Sequence, residues 1–172
     1  MKINFYSDQK QVKVNKNNLL YICFKNKPLH KQLEDLNKKN KGYIKNAIRI
    51  SGFDYKENNC LDLILPQGSK ADRIILIGFN ISKVDNSKNI SKLGSLITSK
   101  LNKKKITNIN IIFDSNYFNA EEEALLLYGL CLNTYRFNKY FSKKKKMKMN
   151  YLEKVNIYSK NSAKTKLFWK RY

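Results

Sequence analysis

The stretch that most constrains the fold runs from Asn119 to Lys148, NAEEEALLLYGLCLNTYRFNKYFSKKKKMK. Asn119 is placed to cap a helix, with Glu122 three residues on to complete a capping box. Glu121, Glu122 and Glu123 sit where a helix start welcomes negative charge, and Lys139 and Lys143 to Lys146 crowd the opposite end. Between them, Ala124 to Leu132 is apolar apart from the Tyr128 hydroxyl. A surface helix carries one apolar stripe, whereas this run is apolar around nearly its whole circumference. Each large side chain gains about 1.5–3 kcal/mol on full burial, so the run predicts a helix wedged between other layers. Gly129 costs about 1 kcal/mol against Ala inside a helix, which predicts a neighbouring backbone pressed against it.

Strands and helices alternate around this helix. Ile3 and Phe5 alternate with polar residues as in a short strand, and Asn18–Phe24 reads as a strand covered on both faces. Leu29, Leu33 and Leu36 give one amphipathic helix entered through Pro28, and Tyr43, Ile44, Ala47 and Ile48 a second after Gly42. Cys60–Leu65 and Arg73–Phe79 are strands, Asn86–Lys103 is a helix and Ile106–Asp114 a strand. A last strand contains Val155 and Ile157, and a helix starts at Ser162. This order predicts an α/β fold, a mainly parallel or mixed sheet with helices on both faces. The 172 residues contain no linker rich in Pro, Gly or Ser, which points to one domain.

A formal net charge of +22 suits a polyanion partner such as nucleic acid. Arginine, the residue of bidentate base and phosphate contacts, occurs only at Arg49, Arg73, Arg136 and Arg171. Lysine supplies the rest alongside abundant Asn, Ile, Tyr and Phe, the residues of AT-rich codons, so compositional drift explains the charge better than a selected polyanion site. The densest cationic run is Lys143, Lys144, Lys145, Lys146 and Lys148, interleaved with Tyr140, Phe141 and Met147. It is either a possible polyanion contact with aromatics to stack on bases, or a solvated helix end.

Catalytic signatures are missing. The six glycines form no dinucleotide or phosphate loop, and Gly78 reads as a turn glycine leaving a strand. His30 is the one histidine, expected at the surface, and no G-x-S-x-G is present. Cys23, Cys60 and Cys131 are widely spaced, as buried free thiols of a reducing compartment would be. Glu121 to Glu123 read as dipole-complementing residues, not a metal site. No catalytic and no metal residue can be nominated. The N-terminus has no apolar signal core and no run reaches a membrane span, so a cytoplasmic location is expected. Leu167, Phe168 and Trp169 near the C-terminus are an apolar patch suited to interdomain packing.

Several motifs resemble the N-terminal domain of the leucyl aminopeptidases, the cytosol aminopeptidase family. Gly129, Leu132, Tyr135, Arg136, Phe137, Lys139, Tyr140 and Lys143 to Lys145 are similar to its G-x-x-L-x-x-Y-x-F-x-x-Y-x-x-K-K helix end. Gly42 to Ile44 resembles a glycine-led helix start, Phe53 and Lys56 an F-x-G-K turn, and Arg73 to Asn80 an R-x-x-L-x-G-L-G strand exit. Tyr55 stands in place of the turn glycine, Asn80 in place of the last glycine, and Asn138 where Asp is common. The resemblance implies a macro-domain-like three-layer αβα architecture. It places the domain at residues 1–160 and the start of a connector helix at 161–172. It also implies a peptidase whose two divalent metals, Mn or Zn, are held in a later C-terminal catalytic domain. The N-T-D-A-E-G-R segment of that domain is absent here; Asn133-Thr134-Tyr135 matches two letters by coincidence. In the family this domain supports a homohexamer and access to the active site, and some members bind DNA. The expectation is therefore a non-catalytic domain of a metal-dependent aminopeptidase, with a stand-alone nucleic-acid-binding module as the alternative. A macro-like domain binding an ADP-ribose-type ligand is a third option, disfavoured by the shortage of glycines at strand ends.

Overall fold

A computed structural model describes residues 1–7, 18–57, 59–69, 71–80, 86–134 and 152–172. In chain order its elements are β1 (Lys2–Tyr6), β2 (Asn18–Phe24), α1 (Lys31–Lys39), α2 (Tyr43–Ser51), β3 (Cys60–Ile64), β4 (Arg73–Phe79), α3 (Asn86–Lys103), β5 (Asn108–Ile112), α4 (Ala120–Thr134), β6 (Lys154–Tyr158) and α5 (Ser162–Trp169). Six strands form one sheet in the order β1-β6-β5-β2-β4-β3, every neighbouring pair parallel except β3 with β4. The mixed sheet and its flanking helices are the expected three-layer α/β fold.

Alternation along the strands divides the core in two. Leu20, Ile22 and Phe24 of β2 join Ile75 and Ile77 of β4 under α3 and α4, with Ile90, Leu93, Ile97, Leu126, Leu127 and Leu130 from the helices. Leu19, Tyr21 and Cys23 face the other way, with Ile74 and Leu76, and meet Leu33 and Leu36 of α1 and Ile44 and Ile48 of α2. Strand β2 lies inside the sheet and is buried from Leu19 to Phe24, because neither of its faces reaches water. Helix α1 begins later than the sequence pattern suggests. His30 is its N-cap, and Nδ1 accepts from the Gln32 amide at 3.2 Å. The histidine expected at the surface is half-buried. Burial holds its pKa below the ordinary value; the Asp114 charge acts upward and Lys160 downward.

Strand β3 is the antiparallel edge. Asp62 ties it inward, its Oδ2 2.7 Å from Lys104 Nζ at the end of α3 and its Oδ1 3.4 Å from Arg73 Nε on β4. Polar side chains also cross the sheet at its other end. Asn4 Nδ2 donates to Asn156 Oδ1 at 2.8 Å, and Asn156 Nδ2 donates to Asn110 Oδ1 at 2.7 Å. The three residues lie in register on β1, β6 and β5.

Helix α4 is wedged as expected. Ala120, Glu123, Ala124, Leu126, Leu127, Gly129 and Leu130 are buried between α3, α5 and the sheet. Its crossing with α3 is a backbone contact. A Cβ at Gly129 would lie 1.9 Å from the Ser91 carbonyl oxygen, and one at Gly94 would lie 2.1 Å from that of Leu126. Ser95 Oγ donates to the Gly129 carbonyl at 3.0 Å, and buried Thr98 Oγ1 to that of Leu130 at 3.0 Å. Gly78 also differs from its expected role. It lies within β4, not in a turn, and a Cβ there would meet the Lys56 carbonyl at 2.3 Å. The turn that presses on it has Tyr55 at φ +60°, a left-handed conformation that favours glycine. Edge-on contact with Phe53 at 4.9 Å is what the Tyr55 ring gains there.

Gly129→Ala gains helix propensity of about 1 kcal/mol but must force α3 and α4 apart. Overpacking of this kind costs about 1–3 kcal/mol, so a lower urea midpoint with an unchanged m-value is expected. A midpoint equal to or above that of the parent would show that the helices can separate freely.

Candidate functional site

Two places could carry function: the carboxyl ends of the parallel strands, and the outer face of α4 and α5. Neighbouring strands β2 and β5 send their connections to opposite faces, β2 to α1 and β5 to α4. Open sheets bind ligands at such a switch point. Here aromatic rings fill it. Phe24 lies 4.7 Å from Tyr117, 5.6 Å from Phe118 and 6.2 Å from Phe79, and Lys27 Nζ sits 6.0 Å over the Tyr117 ring. Beside this plug an open hollow of ≈ 470 Å³ is lined by Lys25, Tyr55, Lys56, Glu57 and Asn80. Lys56 is paired there with Asp54 at 2.6 Å.

The start of α4 is also occupied by its own chain. Asn119 Oδ1 accepts from the amides of Glu121 and Glu122 at 3.0 and 2.9 Å, and Glu122 Oε2 accepts from the Asn119 amide at 2.9 Å. This is the capping box expected from the sequence, and it satisfies the amides that would otherwise hold an anion. The three glutamates are not equivalent, however. Glu121 is exposed, but Glu123 is fully buried and meets the hydroxyls of Ser159 and Thr165. A sequence signal for this exists: Glu123 shares a helical face with Ala120, Ala124 and Leu127, all buried.

The expected interdomain patch divides when α5 packs on α4. Trp169 is half-buried against the α3–α4 core, and Phe168 is half-buried with the Arg171 guanidinium 4.9 Å above its ring. Leu167 points away at 63 % exposure. Tyr172 lies 5.0 Å from Tyr128 of α4, and Leu132 is exposed nearby in sequence. The lysines at 143–146 and 148, like the aromatics expected to interleave with them, lie outside the described residues. So do Tyr135, Arg136, Phe137, Lys139 and Tyr140 of the family motif.

Among the described residues, no group of three or more His, Cys, Asp or Glu is placed to hold a metal ion. The cysteines at 23, 60 and 131 are free thiols, each with its pKa raised by burial, that of Cys23 to about 12. These residues do not fit a pair of divalent metals. No described helix is long and apolar enough to cross a membrane.

Comparison with known proteins decides the kinship. The sequence pattern of the "Cytosol aminopeptidase family, N-terminal domain" matches residues 22–144. The chain belongs to the cytosol aminopeptidase family. A probable cytosol aminopeptidase of Agrobacterium fabrum is 34% identical over 118 residues, 67% of this chain and 23% of that protein. One of Sulfurihydrogenibium is 28% identical over 152 residues, 87% of this chain and 30% of that protein. The chain thus spans less than a third of the length of these curated family members. A mutant of tomato leucine aminopeptidase shares the fold with a TM-score of 0.74 at 19% identity, over 99% of this chain and 35% of that one. The bottromycin maturation enzyme BotP, solved in complex with Mn, does so at 0.56 and 10% identity over 87% of this chain.

The divided patch predicts a divided response. Leu167→Asp should leave the chain's own stability within about 0.5 kcal/mol, as exposed substitutions do. Trp169→Ala should cost about 1–2 kcal/mol, less than the 3–5 typical of a fully buried aromatic. Urea denaturation of the two variants measures both.

Proposed function

We propose that this chain is the non-catalytic N-terminal domain of a cytoplasmic, metal-dependent leucyl aminopeptidase that releases N-terminal amino acids from peptides. Its role is assembly of the oligomer, a homohexamer, and control of access to the active site. Residues 1–160 form the macro-like domain, and 161–172 begin the connector to a C-terminal catalytic domain that holds two divalent metals, Mn or Zn. The observation that carries this reading is the match of the N-terminal-domain pattern to residues 22–144. It is supported by the share of longer relatives that the matched stretch covers, 23% of the Agrobacterium fabrum protein and 35% of the tomato chain. The aromatic filling of the switch-point crevice agrees with a scaffold role. Leu167, with Phe168 and Trp169 behind it, is the surface assigned to the catalytic domain.

Assay of the purified chain on leucyl peptides with added Mn or Zn tests the placement of the chemistry. No turnover is expected, and metal-dependent turnover by this chain alone would overturn the reading. Joined to the catalytic domain of a relative, the chain should form the oligomer, and Leu167→Asp should weaken that assembly while leaving the fold intact.

The net charge of +22 supports a further polyanion role for Lys143 to Lys146 and Lys148 within the same domain. DNA binding by this run should weaken with salt at a log–log slope of about −0.9 per phosphate contacted. Gln at positions 143–146 should flatten the slope. An unchanged slope would assign the binding to diffuse charge.

A further inference from the structure

Glu123 is the fully buried carboxyl of the α4–α5 contact, and its surroundings fix where protons can lie. Ser159 Oγ accepts from the Asn161 amide at 2.9 Å and donates its own proton to Glu123 Oε1 at 2.5 Å. Thr165 Oγ1 lies 2.5 Å from Glu123 Oε2 and 3.0 Å from the Asn161 carbonyl, four residues back on α5. A hydroxyl has one proton to give, and a backbone carbonyl can only accept. When Thr165 donates to that carbonyl, the proton in the short contact to Oε2 must come from the carboxyl. The Ser159 amide meanwhile donates to the Tyr6 carbonyl at 3.1 Å. One side chain thus joins α4, the end of β6, α5 and, through Ser159, β1.

We infer that Glu123 is held as an uncharged acid whose proton latches α5 onto α4, and that loss of this proton loosens α5. Ionisation would leave Thr165 with two acceptors and one proton, and would place a charge where no cation among the described residues is paired with it. The charged side chains on the surrounding elements are Glu121 and Glu122 on α4, Lys88, Lys92, Lys100 and Lys103 on α3, Lys2 on β1, Lys154 on β6, and Lys160, Lys164, Lys166, Lys170 and Arg171 around α5. All but half-buried Glu122 and Lys100 are exposed. Burial raises the Glu123 pKa above its ordinary value. Burial outweighs the hydrogen bonds from Ser159 and Asn161, and the Glu122 charge adds to it, while Thr165, donating to the Asn161 carbonyl, is left to accept from the acid. With the folded value above the unfolded one, the latch contributes fully below about pH 4.5 and is lost as pH rises through the folded value. The latch stands on this geometry alone. Only its consequence for how rigidly a following domain is held rests on the connector reading of α5.

Trp169, the one tryptophan, lies on α5 and reports the latch directly. Trp169 emission and urea midpoints are measured from pH 4 to 9 for the parent, Glu123→Gln and Thr165→Val. Gln mimics the neutral acid, accepting from Ser159 and donating to Thr165. A red shift and a falling midpoint with rising pH are expected for the parent and should be lost in Glu123→Gln. The comparison cancels the His30 contribution, which both proteins carry. Thr165→Val should move the transition to lower pH, because it removes the acceptor of the acid proton. The inference is overturned by identical pH profiles for the parent and Glu123→Gln. It is equally overturned if Thr165→Val moves the transition upward, since Thr165 would then be a donor to a charged carboxylate.

Discussion

Helices α3 and α4 touch backbone to backbone, and the rest of the upper layer is arranged around that contact. Without Cβ atoms at Gly94 and Gly129, the carbonyls of Ser91 and Leu126 occupy space that any other residue would need. The hydroxyls of Ser95 and Thr98 then reach across to the carbonyls of Gly129 and Leu130. Two helices this close leave a narrow, dense layer over the sheet, and the branched side chains at Leu126, Leu127 and Leu130 fill it. The opposite flank of α4 is then free for α5, which is how a helix apolar on nearly all sides finds cover in a small domain.

Polar groups inside this fold are used to join segments far apart in sequence. Glu123 reaches residues 36 and 42 positions later, and the asparagine row joins β1 to β6 across 152. Helices α1 and α2 cover that face of the sheet over β2, β3 and β4. Over β1, β5 and β6 the side chains of the same face include Asn4, Asn110 and Asn156, with Ile112 and the stacked pair Tyr6 and Tyr158 at 4.9 Å. Amides that bond one another leave few lone pairs wanting, so this half of the sheet satisfies its polar groups without a helix above it among the described residues.

Much of the architecture was legible because it is local. Continuous apolar runs mark β2 and β4, Asn86–Lys103 is α3 as its leucine and isoleucine spacing implies, and Gly129 signals a close approach. What was not legible depends on partners distant in sequence. Alternating asparagines in β5 and β6 look like a wet face until β1 is laid beside them. Glu123 looks like its two neighbours until Ser159 and Thr165 arrive. Gly78 reads as a turn residue in the sequence because a strand glycine announces nothing about the carbonyl that presses on it from Lys56. Of the candidate site, the apolar patch was visible as composition, while its division between Leu167 outward and Trp169 inward follows from the docking of α5.

The parallel pairing of β1 with β6 has a consequence for how the chain matures. Residues Lys2–Tyr6 find their hydrogen-bonding partners only at Lys154–Tyr158, so on a ribosome β1 must wait for about 150 further residues to emerge. Until then its backbone groups stay hydrated beside an unfinished sheet. Closure of that edge seats Asn4 on Asn156 and joins the two ends of the domain in a single bond-sharing row.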